Sequence, residues 1–233
     1  MAEKAFVIIL AETSLENVPE EIAKHPAVVA DVARRGKPAR EILLDRSVHH
    51  AAMLRLRDGE SRGRPDIAYH VLLDVASSPL YRSGRLDFFM HTRGGLVLSF
   101  SKELRPPRSY DRFRSLMEQL LMEGRVGGEE DLITLDRASF RDVIKRTGPS
   151  TVVGLSRIGR MVALLELVSG ARGNRPCFVV GGFPTGHFGK ETERWFDSLA
   201  SIHREGLDAS LVACRLVYEM ENSIGRERQK VTD

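Results

Sequence analysis

The stretch FVVGGFPTGHFGKE, Phe178 to Glu191, turns abruptly from apolar side chains to bare backbone. The run Cys177 to Val180 reads as a short buried strand. Gly181-Gly182, Phe183-Pro184, Gly186 and Gly189 follow it. In an open α/β sheet, ligands bind in the loops beyond the carboxyl ends of strands. Glycine there lets a ligand lie against backbone N–H and C=O groups, because no Cβ holds it off. A Gly/Pro-rich loop is also the ordinary make-up of a turn, so this stretch alone leaves both readings open. It is not the dinucleotide fingerprint: no G-x-G-x-x-G follows Val180, and no helix opens at once.

Outward from this loop, strand and helix patterns alternate. LITL, a helix at 138–146, TVVGLS and MVALLELVSG precede it; a helix near 190–197, SLASIHR and a final helix at 208–222 come after. Such alternation predicts a mainly parallel sheet with helices on both faces, an α/β fold. Toward the N-terminus, AFVIILA (5–11) reads as a buried strand and 25–37 as a helix ended by Gly36. EILLD (41–45) reads as a strand leading to a helix at 47–56, and 66–78 has helical apolar spacing. RLDFFMHTRGGLVLSFS (85–101) is a β-hairpin joined across Gly94-Gly95. A helix at 109–122 and a polar, Gly-rich loop at 124–131 complete the pattern. We expect one domain over 1–225 with a hairpin insertion at about 80–105, then a charged, frayed tail at 226–233.

Composition bounds the function. The 233 residues, 42% of them hydrophobic, can bury a core without disulfide or metal staples. No apolar run approaches the roughly 18 residues of a membrane-spanning helix. The short apolar stretch near the N-terminus is followed by Glu12 and Glu16, as in a first strand of a cytoplasmic protein. Cys177 and Cys214 read as reduced core cysteines. The histidines show no metal-ligand spacing, and adjacent His49 and His50 would point about 100° apart on a helix. No metal is therefore expected. The net charge is only +3, but the cations are mostly arginine and clustered. Arg55, Arg57, Arg62 and Arg64 form one group; Arg82, Arg85, Arg93, Arg105, Arg108, Arg112 and Arg114 form another. A solvated face is the default for one cluster, and two in the same half favour an anionic polymer as partner.

Two further stretches carry chemistry. In RGRPDIAYH (62–70), Pro65 biases Arg64 toward an extended conformation, and Asp66 either caps a helix or accepts a hydrogen bond from a base N–H. In ELRPPRSYDRF (103–113), Pro106-Pro107 stiffens the approach to a helix. Arg108 and Arg112 would share a face if that helix starts near Pro107. Three arginines on rigid backbone with Tyr110 among them make a phosphate and base platform. Cations at a helix N-terminus oppose the macrodipole, so their presence calls for a reason.

RPDI, then HVLLDVASSPLYRSGRLDFFMHTRGGLVLSF, then LRPPRSYDRFRSLMEQLL, together resemble the Nep/Emg ribosome-biogenesis family. LAETSLENVP and ILLDRSVHHAAMLRL resemble it too, and the likeness spans residues 5–222. These are pseudouridine N(1)-specific methyltransferases of the SPOUT class that act on small-subunit ribosomal RNA. The resemblance implies a C-terminal trefoil knot, a homodimer and S-adenosylmethionine as methyl donor. It places the cofactor against Val180, Gly181, Gly182, Phe183 and Gly186, then Ser201, Ile202, Leu207, Ala209, Ser210 and Val212. It assigns RNA binding to Arg64, Arg105, Arg108 and Arg112, and catalysis to Asp66 and Arg64, with Asp66 as general base or orienter. SPLYRSG stands where the family often reads SPLNKAG, and SIHREGLDAS departs from the family's usual knot loop. A SPOUT enzyme for another RNA position and a mainly non-catalytic ribosome-assembly factor are the alternatives. A nicotinamide dehydrogenase lacks its fingerprint here.

Overall fold

The computed structural model describes residues 4–128 and 130–232. Strand β1 (Phe6–Thr13) is buried along its whole length. Residues Phe6 to Ala11 form an unbroken apolar run, as a strand covered on both faces requires. Phe6, Ile8 and Leu10 enter one core layer, while Val7, Ile9 and Ala11 enter the other. Helices α1 (Pro26–Arg35), α2 (Arg46–Met53), α3 (Pro65–Ser77) and α4 (Pro79–Arg82) follow. Then come β2 (Leu86–Thr92), β3 (Leu96–Phe100), α5 (Tyr110–Glu123), β4 (Arg125–Gly127), β5 (Asp131–Arg137) and α6 (Phe140–Thr147). The C-terminal part is β6 (Thr151–Met161), α7 (Leu164–Ser169), β7 (Pro176–Gly181), α8 (Lys190–Glu193), β8 (Ser198–Ser201) and α9 (Ala209–Thr232).

One eight-stranded sheet runs β4-β5-β3-β2-β1-β7-β6-β8. From β2 through β8 its pairs are parallel, and the β3, β5 and β4 pairs are antiparallel. Helices α3, α5, α7 and α9 cover one face, and α6 with Phe188 and Phe196 covers the other. The mainly parallel α/β architecture is therefore present. The hairpin forms too, with Met90 opposite Leu98. Its first strand is a central member of the sheet, pairing Phe6 with Leu86 and Leu10 with Met90 on β1.

Several elements differ from the local pattern for physical reasons. EILLD is not a strand: Ala39–Glu41 is one 3-10 turn, and Leu43 makes a lone bridge to Asn17. Ile42 and Leu44 are instead buried in a small cluster with α1 and α2, so burial rather than sheet pairing satisfies the apolar run. Arg125–Gly127, read as loop, is an edge strand on β5. The helix near 190–197 shortens to Lys190–Glu193, and the last helix continues past Gly225 to Thr232. Cys177 is buried as expected, but Cys214 is exposed on α9.

The arginine-bearing segment 101–112 is fixed at both ends. Tyr81, wholly buried, donates from its hydroxyl to the carbonyls of Phe100 and Ser101 at 3.1 and 3.0 Å. At the other end, the buried Glu118 carboxylate on α5 accepts from Arg35 at 2.7 Å, Lys37 at 3.1 Å and the Leu43 amide at 3.1 Å. A buried charge needs partners of this kind. Here they join α5 to the α1–α2 lobe. The tyrosine that departs from the family's SPLNKAG pattern is thus an anchor for β3, not part of a binding surface.

Candidate functional site

The loops after β7 and β8 and the start of α9 enclose a cleft of about 620 Å³. Small-molecule sites usually have about 300–1,000 Å³. Val180, Gly181, Phe183 and Gly186 line it from the first loop, and Ser201, Ile202 and Leu207 from the second. Ala209, Ser210 and Val212 line it from the first turn of α9, and Arg64 and Asp66 from the N-terminus of α3. Segments more than 130 residues apart in sequence therefore share one wall, as the Asp66 and Ser201 positions show.

Gly182 is the exception. A Cβ there would stand 2.6 Å from Thr13 Oγ1 and 2.8 Å from Thr13 Cα, so glycine serves the packing of the loop on β1. Its backbone does the same, donating to Ala11 O at 2.8 Å and accepting from Ser14 N at 3.0 Å. Gly206 is the contrasting case. It lines the cleft, and a Cβ would meet nothing within 4 Å.

Arg64 and Asp66 form a two-pronged pair, Nε to Oδ1 at 2.8 Å and Nη2 to Oδ2 at 2.7 Å. Both side chains are 37% exposed. Arg64, not Asp66, occupies the N-cap of α3, so Asp66 sits inside the first turn and caps nothing. Hydrogen bonding to Asp66 raises the Arg64 pKa above its ordinary value; partial burial opposes this, and the charges of Asp66, Asp208 and Asp45 reinforce it. An ionised carboxylate has about four acceptor positions, so Asp66 can hold Arg64 and still accept from a ligand N–H.

The other three arginines do not line the cleft. Arg105 folds back, donating from Nη1 to the carbonyls of Lys102, Glu103 and Leu104. Helix α5 starts at Tyr110 with Ser109 as N-cap, so Arg108 precedes the helix and does not share a helical face with Arg112. Both Arg108 and Arg112 are exposed, and among the described residues neither side chain has a partner. The segment still docks on α3: the Tyr69 hydroxyl donates to the Arg108 carbonyl, and Tyr69 packs edge-on to Tyr110 at 5.5 Å. Tyr110 in turn donates to Asp45 at 2.5 Å. Burial, then that bond, pushes the Tyr110 pKa well up. One helix, α3, thus links the Arg64–Asp66 pair to the free arginines. Arg62, by contrast, is held by Glu16 at 2.8 and 2.6 Å.

Sequence reading missed Ser156, Arg157, His70, His203 and Asp208, which also line the cleft. Ser156 and Arg157 lie where β6 bulges: both Leu155 and Arg160 pair with Ala200. Two polar residues interrupting an apolar parallel strand were the available signal.

A parallel sheet opening at its C-terminal edge into one loop-built cleft, with a cation–carboxylate pair on the rim, defines an α/β protein with its cleft where such folds hold small-molecule ligands. Residues 8–221 match the family model described as EMG1/NEP1 methyltransferase, and the chain belongs to that family. It is 42% identical over 224 residues to a protein of Pyrobaculum calidifontis named ribosomal RNA small subunit methyltransferase Nep1, covering 94% of this chain and 99% of that one. A Thermococcus kodakarensis protein of the same name is 37% identical over 221 residues, covering 94% and 98%. The crystal structure of Archaeoglobus fulgidus Nep1 bound to S-adenosylhomocysteine superposes with a TM-score of 0.83 at 36% identity, covering 95% of this chain and 98% of that one.

Proposed function

We propose that this protein methylates ring nitrogen 1 of a pseudouridine in small-subunit ribosomal RNA, with S-adenosylmethionine as donor, as a step in small-subunit assembly. The observation that carries the reading is the shared wall: the Arg64–Asp66 pair borders the same cleft as the loops at 180–186 and 201–212. The residues present fit the cofactor. Val180, Phe183, Ile202, Leu207 and Val212 offer apolar surface, while backbone at Gly181 and Gly206 and the hydroxyl of Ser210 offer polar contacts. When bound, S-adenosylmethionine supplies an electrophilic methyl group on a sulfonium sulfur.

The chain's own residues do the rest. Arg108 and Arg112 hold phosphates flanking a target splayed out of a single-stranded loop. Arg105 adds its remaining guanidinium N–H groups. Arg64 orients Asp66, and Asp66 would accept the hydrogen bond from N(1)–H and take that proton. Holding the acceptor nitrogen in line is the larger part of the catalysis. The loops 180–186 and 201–212 belong to a trefoil crossing of the C-terminal chain, which forms one folding unit with the rest. The working state is a cytoplasmic homodimer. In its support, Leu211 and Tyr218 share a face of α9 with exposed Cys214 between them, and Tyr218 is 65% exposed. Among the described residues no helix is long and apolar enough to cross a membrane.

The experiment is methyl transfer to one hairpin RNA carrying either pseudouridine or uridine at the same position. RNA binding makes a separate forecast. Arg108→Ala and Arg112→Ala should each weaken RNA affinity and reduce the slope of log K against log salt by about one unit. Cofactor affinity, read by calorimetry, should not change. An unaltered salt slope in both variants would mark these arginines as a merely solvated face.

A further inference from the structure

Strand β1 is apolar until its end, where Glu12, Thr13 and Ser14 are polar and nonetheless buried. Glu12 has φ 54°, and only Asp58 shares a positive φ among the described non-glycine residues. At the same place the β1–β2 register slips, between Leu10 and Thr13. Left-handed backbone is disfavoured for a residue with a Cβ, and such outliers gather where a ligand site needs them.

The consequence is a change of direction. By alternation Glu12 would follow Leu10 into the layer beneath α3 and α9. Its carboxylate reaches Gly189 instead, with Oε1 accepting from Gly189 N at 2.7 Å. Gly189 follows Phe188, a member of the opposite layer. The loop that leaves β7 therefore starts and ends on one point of β1. Its start is tied through the Gly182 backbone to Ala11 and Ser14, and its end through Gly189 to Glu12. Between the ties lie Phe183, Pro184, Thr185, Gly186 and Phe188, which line the cleft.

We propose that Glu12 is a positioning residue for the cofactor: it pins the far end of the 182–189 loop and so preforms one wall of the S-adenosylmethionine site. The inference rests on the cofactor reading above. A loop held at both ends has little freedom left to lose on binding. Untied, the loop spends part of its time in conformations that cannot bind, and affinity falls by that fraction.

The test is calorimetric titration of S-adenosylmethionine into wild type, Glu12→Ala, Glu12→Gln and Glu12→Gly, with RNA affinity, melting temperature and amide exchange at Gly189 measured alongside. Glu12→Ala should weaken cofactor binding about tenfold or more and speed exchange at Gly189. Glu12→Gln keeps an acceptor oxygen and should stay within about threefold of wild type on both. Glu12→Gly, freed of the left-handed strain, should melt no lower than wild type and still lose cofactor affinity. RNA affinity should hold in all three. A wild type that binds S-adenosylmethionine, with Ala and Gly variants binding equally well, overturns this inference alone. A wild type that binds none overturns the reading beneath it.

Discussion

Asp66→Asn is expected to lose methyl transfer by about 100-fold or more while remaining folded and binding both RNA and cofactor. Removing a proton acceptor from a reacting N–H typically costs a factor of about 10²–10⁴. Stability terms are far smaller. The Arg64–Asp66 pair is 37% exposed on each side, and an ion pair of that kind contributes about 0–1 kcal/mol. A carboxylate in the first turn of a helix adds about 0.3–1 kcal/mol through the dipole. Asn keeps one oxygen for Arg64, so only part of these terms is lost. Because Arg64 and not Asp66 is the N-cap of α3, no helix cap is removed. A melting temperature within a few degrees of wild type, beside the collapse in rate, is the result to look for. Retention of more than half the activity would remove Asp66 from the reaction.

Ser210→Phe should sharply weaken S-adenosylmethionine binding and leave the fold intact. Ser210 lines the cleft in the first turn of α9, and its hydroxyl has no partner among the described residues. The added ring fills space the ligand needs and removes no internal bond. A loss of affinity of about 100-fold, or about 2.7 kcal/mol, is expected. Gly182→Val behaves in the opposite sense: its Cβ would collide with Thr13, backbone included, so the melting temperature should fall. Circular dichroism and calorimetry on both variants separate the cleft from its support. Undiminished cofactor binding by Ser210→Phe would place the site elsewhere.

The contrast between these two positions shows what was legible in the amino-acid sequence. A bare loop after Val180 pointed to close approach, and Gly181, Phe183 and Gly186 do line the cleft. Gly182 also marks close approach, but to Thr13. Residue type reports that a Cβ does not fit; it does not report what stands in the way. Strands β1 and β7, helix α1 with its Gly36 end and the β2–β3 turn were readable because each follows from local pattern. β4 was not, since its Gly-rich residues become a strand only through pairing with β5. Likewise Ile42 and Leu44 fall in the short apolar run EILLD that reads as a strand, and tertiary burial between α1 and α2 overrode it. The meeting of Arg64 and Asp66 with residues 201–212 was beyond any local pattern and came from resemblance alone. Glu12 was unreadable because its role depends on one backbone dihedral.

In the proposed function, the cleft and the Arg64–Asp66 pair serve one reaction on one kind of base. Pseudouridine differs from uridine in presenting a second ring N–H, at position 1. A site built to accept from it leaves an acceptor unpaired when that N–H is missing, at about 1–3 kcal/mol, and has no nitrogen there to methylate. The most direct measurement is methyl incorporation from labelled S-adenosylmethionine into two hairpins identical except for that base. Product is expected on the pseudouridine hairpin alone, methylated at N(1) and lost with Asp66→Asn. Equal methylation of both hairpins would contradict it in favour of an enzyme for another position, and tight RNA binding without methylation of either would contradict it in favour of an assembly factor.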